Sequence, residues 1–270
     1  MSAISFLKGW FNVQRQKRVK RAILKQMDSA ALEIQRSDWR DSLSHPTEFY
    51  LRCFGFFHLQ LPISLKEHRA YFSQSRRGFG EDAFHVMWFL LFREFRPLNF
   101  LEIGVYRGQT LSLAAMLQQQ NSLKPAVTGI SPFESAGDSV SRYRRDVDYF
   151  QDTLINFQQF DLPAPELLKA YSTDERAADM ISSQRWDCIY IDGNHDYEIV
   201  LQDWQNCAQA LADGGIIVLD DSGLTTEYQP PIFSTEGHPG PSRMAQEIDR
   251  SKFREILQVG HNRVFQKIGS

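Results

Sequence analysis

Cysteine is scarce in this chain. Cys53, Cys188 and Cys207 are scattered and form no CxxC pair, which excludes a disulfide framework or a thiolate zinc site and suits a reducing, cytoplasmic setting. Long apolar runs are also missing. The most hydrophobic one, Val86 to Phe92, is far shorter than the ~20 residues that cross a bilayer. The first residues are interrupted throughout by charged and polar side chains and contain no apolar core of a secretory signal. Excess charge is lacking as well: the formal net charge is −3, which gives no global case for a nucleic-acid partner. A clean GxGxxG fingerprint with an acid about 20 residues downstream is absent, which argues against a nicotinamide-dependent oxidoreductase.

The charge that is present is unevenly placed. Residues 1–25 hold seven Lys or Arg and no acid, so the remainder carries 23 basic against 33 acidic residues, a formal −10. Residues 1–45 are expected to be helical, because Val19, Ile23, Met27, Ala31 and Ile34 recur at spacings of three and four. Phe6, Trp10 and Phe11 beside the basic residues make peripheral membrane contact through residues 1–25 conceivable. The favoured reading is a solvated helix packed on the domain or on a second subunit of a homo-oligomer. Residues 46–80 are mixed and aromatic. Glu81 to Phe95 then reads as a mostly buried helix that Pro97 ends. The expected organisation is a helical extension over residues 1–80 and a larger domain over residues 81–270.

From Asn99 onward strands and helices alternate. Strands are expected at Asn99–Val105, Ala126–Ile130, Glu166–Tyr171, Trp186–Ile191 and Ile216–Leu219. Helices are expected at Tyr149–Phe157, Glu175–Ile181 and Tyr197–Leu211. Such alternation predicts an α/β fold with a parallel sheet covered on both faces. Ser222 to Ser242 is rich in Pro, Gly and polar residues, and a loop of that length is usually functional or disordered. A short helix at Met244–Ile248 and two strands hinged at His261-Asn262 close the chain as a hairpin.

The most informative stretch is NFLEIGVYRGQT, Asn99 to Thr110. It predicts a buried strand, a glycine turn and a helix start, where backbone can closely approach a ligand. Glu102 would repel a pyrophosphate and hold a cationic amine. Glu102, Gly104 and Gly108 resemble the first motif of class I S-adenosylmethionine-dependent methyltransferases, with Tyr106 in place of the middle glycine. The resemblance implies a Rossmann-like fold whose mostly parallel seven-stranded sheet ends in an antiparallel hairpin.

IDGNHDYE, residues 191–198, is the second constellation. Asp192 ends one buried strand, and Asp220 and Asp221 end another, so three carboxylates reach the carboxyl edge where open α/β sheets bind ligands. Their mutual repulsion calls for compensation, which a hard divalent cation such as Mg²⁺ would supply. Other roles are available to single residues: Asp192 contacting cofactor or a backbone amide, Asp196 capping the next helix, Asp221 steadying its own turn. The block is similar to macrocin-type sugar O-methyltransferases and cephalosporin-hydroxylase-like proteins, and more distantly to catechol and caffeoyl-CoA O-methyltransferases. That resemblance, spanning roughly Glu81 to Ile268, implies that Asp192, Asp220 and Asp221 hold Mg²⁺. It makes His195, three residues after the first metal acid, the general base.

The same resemblance places Glu102, Gly104, Val105, Tyr106, Gly108, Ser131, Ser172 and Asp192 around S-adenosylmethionine. Ser131 stands where the family usually carries an acid for the ribose hydroxyls, so either Glu134 takes that part or the cofactor is gripped less firmly. The expected function is an O-methyltransferase acting on a hydroxyl of a small molecule, sugar or glycan, by in-line displacement at the sulfonium. The alternative is a non-catalytic binding protein of the same fold, which Ser131 and Tyr106 favour. A nucleic-acid methyltransferase is disfavoured, because the domain is acidic and has no NPPY-type motif.

Overall fold

A computed structural model describes residues 3–27, 32–135, 137–141 and 143–269, the side chains of residues 3–11 and 76 excepted. The strands are β1 (Phe100–Ile103), β2 (Val127–Ser131), β3 (Glu166–Lys169), β4 (Trp186–Ile191), β5 (Leu211–Leu219), β6 (Phe253–Val259) and β7 (Asn262–Lys267). They form one seven-stranded sheet in the order β3-β2-β1-β4-β5-β7-β6. β1 to β5 run parallel, and β7 pairs antiparallel with both β5 and β6. The expected parallel sheet with a closing hairpin is what forms.

Side chains alternate across the pleat, so the apolar runs feed two cores. Phe100 and Tyr190 join α3 (Pro46–Leu59), α5 (Asp82–Phe95) and α6 (Gln109–Gln120) on one face. Leu101, Ile103, Ile189 and Ile191 join α8 (Glu175–Ser182), α9 (Tyr197–Ala210) and α10 (Pro239–Glu247) on the other. The first core holds Trp88, Phe92 and Phe54, each contributing roughly 1.5–3 kcal/mol by leaving water. Because α3 and α5 share it with the sheet, the N-terminal helices and the strands are one packed body.

The N-terminal reading needs one correction. Helix α1 (Ala3–Lys25) forms, but residues 32–35 are not helical and Gln35 is extended, a 3₁₀ turn follows at Arg36–Arg40, and the short α2 (Asp41–Ser44) comes after it. Leu32 and Ile34 are both buried and two residues apart, the spacing of an extended segment rather than a helix. The Ile34 carbonyl accepts from Arg93 at 2.6 Å instead of from a helical amide. Ala31 lies outside the described residues. The aromatic stretch before Glu81 is two helices, α3 and α4 (Ile63–Ser73). Helix α10 begins at Pro239, five residues earlier than expected, and α7 (Tyr149–Gln159) is as read. Among the described residues no helix is long and apolar enough to cross a membrane.

Candidate active site

The β1–α6 turn is shaped by two glycines. Gly104 has φ +98°, and a Cβ there would stand 2.0 Å from the Asp192 carbonyl oxygen. Gly108 has φ +76° and directly precedes α6. L side chains disfavour both conformations. The turn therefore lies flat against the tip of β4, where the Asp192 amide donates to the Ile103 carbonyl at 2.9 Å.

Two cavities meet at this turn. The smaller, about 120 Å³, is lined by Gly104, Val105, Tyr106, Ser131, Ser172 and Asp192, six of the eight residues expected around the cofactor. Glu102 lines the larger cavity of about 460 Å³, and Gly108 lines neither, acting through the turn it permits. Gly104, Tyr106, Tyr143 and Asp192 belong to both walls. Glu134 also lines the smaller cavity, where its carboxylate accepts a hydrogen bond from the Tyr171 hydroxyl. The Ser131 hydroxyl accepts from the Phe133 amide at 3.5 Å within its own turn.

The larger cavity gathers carboxylates. Glu102 is 3 % exposed and its Oε2 has no hydrogen-bond partner among the described residues. Burial pushes its carboxyl up to about 8, against one backbone hydrogen bond from Leu111 and reinforced by the charge of Asp220. Burial, then Asp220, raises Asp192 well above the carboxylate range, and burial, then Asp221, raises Asp220. Burial also opposes charge on Asp221. There the hydrogen bond from His195 and the neighbouring His261 and His238 win, and its carboxyl sits below the usual value. Asp221 has φ +50°, a conformation rare outside glycine.

The histidines explain the local balance. His195 approaches Asp138 through Nδ1 at 2.5 Å and Asp221 through Nε2 at 2.9 Å. Burial works against its charge, but the two carboxylates prevail and raise it to about 9. With both nitrogens donating, the ring is an imidazolium. Its lone pair is available only when Asp221 ceases to be its partner. Asp138, absent from the sequence reading, is fixed by the amides of Val140 at 2.9 Å and Ser141 at 2.6 Å.

Two groups of three donors approach within 4.8 Å of one another among the described residues: Asp220, Asp221 and His261, and Asp221, His195 and His238. Asp192 stands beside Asp220 as a hydrogen-bond partner but joins neither group. The residues fit a divalent cation, because Oδ1 of Asp220 is buried without a hydrogen bond from any described residue in a site crowded with acids. His238 and His261 were also missed. They lie 17 and 40 residues beyond Asp221 in the chain, and no local spacing announces them.

Residues 101–222 match a family model described as a methyltransferase domain. That span is 122 of the 270 residues. It includes Glu102, Asp192, His195, Asp220 and Asp221, whereas His238 and His261 lie beyond it. An uncharacterised protein, R132, of Acanthamoeba polyphaga mimivirus is 27 % identical over 158 residues; the match covers 58 % of this chain and 63 % of that protein's length. Three solved structures share the fold of this chain. The SAH-bound methyltransferase PaMTH1 of Podospora anserina has a TM-score of 0.53 at 13 % identity, over 78 % of this chain and 89 % of its own. An O-methyltransferase from Bacillus cereus in complex with SAH gives 0.53 at 13 %, over 87 % and 100 %. The O-methyltransferase NovP gives 0.52 at 14 %, over 71 % and 84 %.

Proposed function

We propose that this protein is an S-adenosylmethionine-dependent O-methyltransferase. Its acceptor is a hydroxyl of a small molecule, sugar or glycan, and a divalent cation, Mg²⁺ on the sequence reading, is held by Asp192, Asp220 and Asp221. The observation that carries this reading is the junction of the two cavities at Gly104, Tyr106 and Asp192. A donor in the smaller cavity and an acceptor in the larger one meet where the flat turn leaves room. Relatives solved with SAH or named as O-methyltransferases support the same reading.

Each residue then has a task. Ser131, Glu134 and Ser172 offer hydrogen bonds to the polar parts of the cofactor, and the carboxylate of Glu102 faces its cationic end. Asp192, Asp220 and Asp221 would hold the cation, which would acidify and orient the acceptor hydroxyl. Asp138 fixes His195 through Nδ1, so the ring presents Nε2 toward Asp221 and the larger cavity. His195 takes the hydroxyl proton at Nε2 once Asp221 no longer occupies that nitrogen, because removing a carboxylate partner lowers the ring's affinity for its proton. The test is transfer of labelled methyl from S-adenosylmethionine to a panel of hydroxylated acceptors. We expect product that EDTA suppresses. Cofactor binding without product on any acceptor would favour the non-catalytic alternative.

A further inference from the structure

His261 sits at the turn between β6 and β7, 7 % exposed, and approaches Oδ1 of Asp221, where His195 approaches Oδ2. Its ring is fixed from two directions. Nδ1 lies 3.0 Å from the Thr235 carbonyl and 3.1 Å from the Thr235 hydroxyl. The Phe84 ring packs edge-on at 4.8 Å between centroids. A carbonyl can only accept, so Nδ1 carries the proton in that bond, and in the neutral ring Nε2 holds the lone pair. Nε2 is 3.5 Å from Oδ1 of Asp220 and 3.6 Å from Oδ1 of Asp221.

Those separations are long for hydrogen bonds. They suit neighbours around one ion, since two ligands about 2.1 Å from a metal at right angles stand about 3 Å apart. The oxygen that His261 approaches on Asp220 is the one left without a hydrogen bond from any described residue. A histidine that donates its other ring N–H to a backbone carbonyl is also how proteins orient metal-ligating imidazoles.

We propose that His261 Nε2 is a metal ligand, forming with Asp220 and Asp221 a two-carboxylate, one-histidine site that prefers a first-row transition ion to Mg²⁺. The inference rests on the divalent-cation reading above and changes its chemistry. Mg²⁺ favours oxygen donors held octahedrally, whereas an imidazole favours transition ions. His195 is held through Nδ1 by Asp138, and its Nε2 is assigned to the acceptor hydroxyl in the reading above. His238 lies 3.6 Å from Asp221 and is about a third exposed.

The full chain loaded with Mn²⁺ tests this by pulsed electron paramagnetic resonance. We expect nitrogen hyperfine modulation in the wild type, retained in His238→Gln and lost in His261→Gln. We also expect Mg²⁺ to displace Mn²⁺ only at an excess above about tenfold. Bound Mn²⁺ with no nitrogen modulation in the wild type would overturn the His261 assignment while leaving the cation reading intact, and so would modulation that survives in folded His261→Gln. If His261→Gln fails to fold, the wild-type spectrum and the Mg²⁺ competition decide the question alone. No Mn²⁺ binding at all would overturn the cation reading, and this inference with it.

Discussion

At the scale of single residues, the site is governed by carboxyls that burial has deprived of water. Asp220 is the most direct probe of the acid cluster. Asp220→Asn keeps the shape and removes the charge, so turnover should fall on the order of 100-fold or more. Cofactor affinity by calorimetry should stay within about threefold, because Asp220 lines the larger cavity and not the smaller one. Asp203 on α9 offers a test away from the cluster. It is wholly buried, and burial raises it to about 7, a hydrogen bond with Ser172 opposing. A carboxyl raised in the folded state contributes stability below its unfolded value near 4 that is lost as pH rises through about 7. Thermal melts of the wild type should therefore drop between pH 5 and 8, and Asp203→Asn should flatten that drop. At roughly 2–4 °C per kcal/mol, several degrees should separate the two at pH 8. Equal slopes would show that Asp203 does not titrate in this range.

At the scale of elements, the turn between β1 and α6 is the critical joint. Gly104→Ala adds a methyl into the Asp192 carbonyl and forces a positive φ on alanine. The strain alone costs on the order of 1–3 kcal/mol, and the β4 tip must move. We expect cofactor binding to be lost while far-ultraviolet circular dichroism stays near wild type; unchanged affinity would show that the turn does not form the cofactor wall. This joint was legible in the sequence, because an apolar run broken by one acid and two glycines has few other uses. Asp220 and Asp221 were legible for a similar reason, standing at the end of a buried run. His261, His238 and Asp138 were not. They sit on turns and loops that face the cluster only after the sheet has ordered its strands, and one-dimensional spacing does not encode that. The break after α1 was hidden by apolar residues that fit both a helical and an extended period.

At the scale of the whole molecule, one core joins the N-terminal helices to the sheet. α3 and α5 bury Phe54, Phe57 and Trp88 in the layer that holds Phe100 and Tyr190. Lys20 of α1 turns toward Asp82 at 3.4 Å and lies 4.9 Å from the centre of the Phe233 ring. This basic side chain is spent on its own chain. The side chains of Phe6, Trp10 and Phe11, on which the membrane reading leaned, lie outside the described residues. Calorimetric unfolding should show a single transition, and two separated transitions would mean that the helical segment and the sheet fold apart. The central claim is that the two cavities are a donor site and an acceptor site. Its most direct measurement is titration calorimetry of the full chain with S-adenosylmethionine, first with a divalent cation and then with EDTA. The account predicts saturable one-to-one binding in both conditions, with a heat that changes with the cation. No binding in either would contradict it.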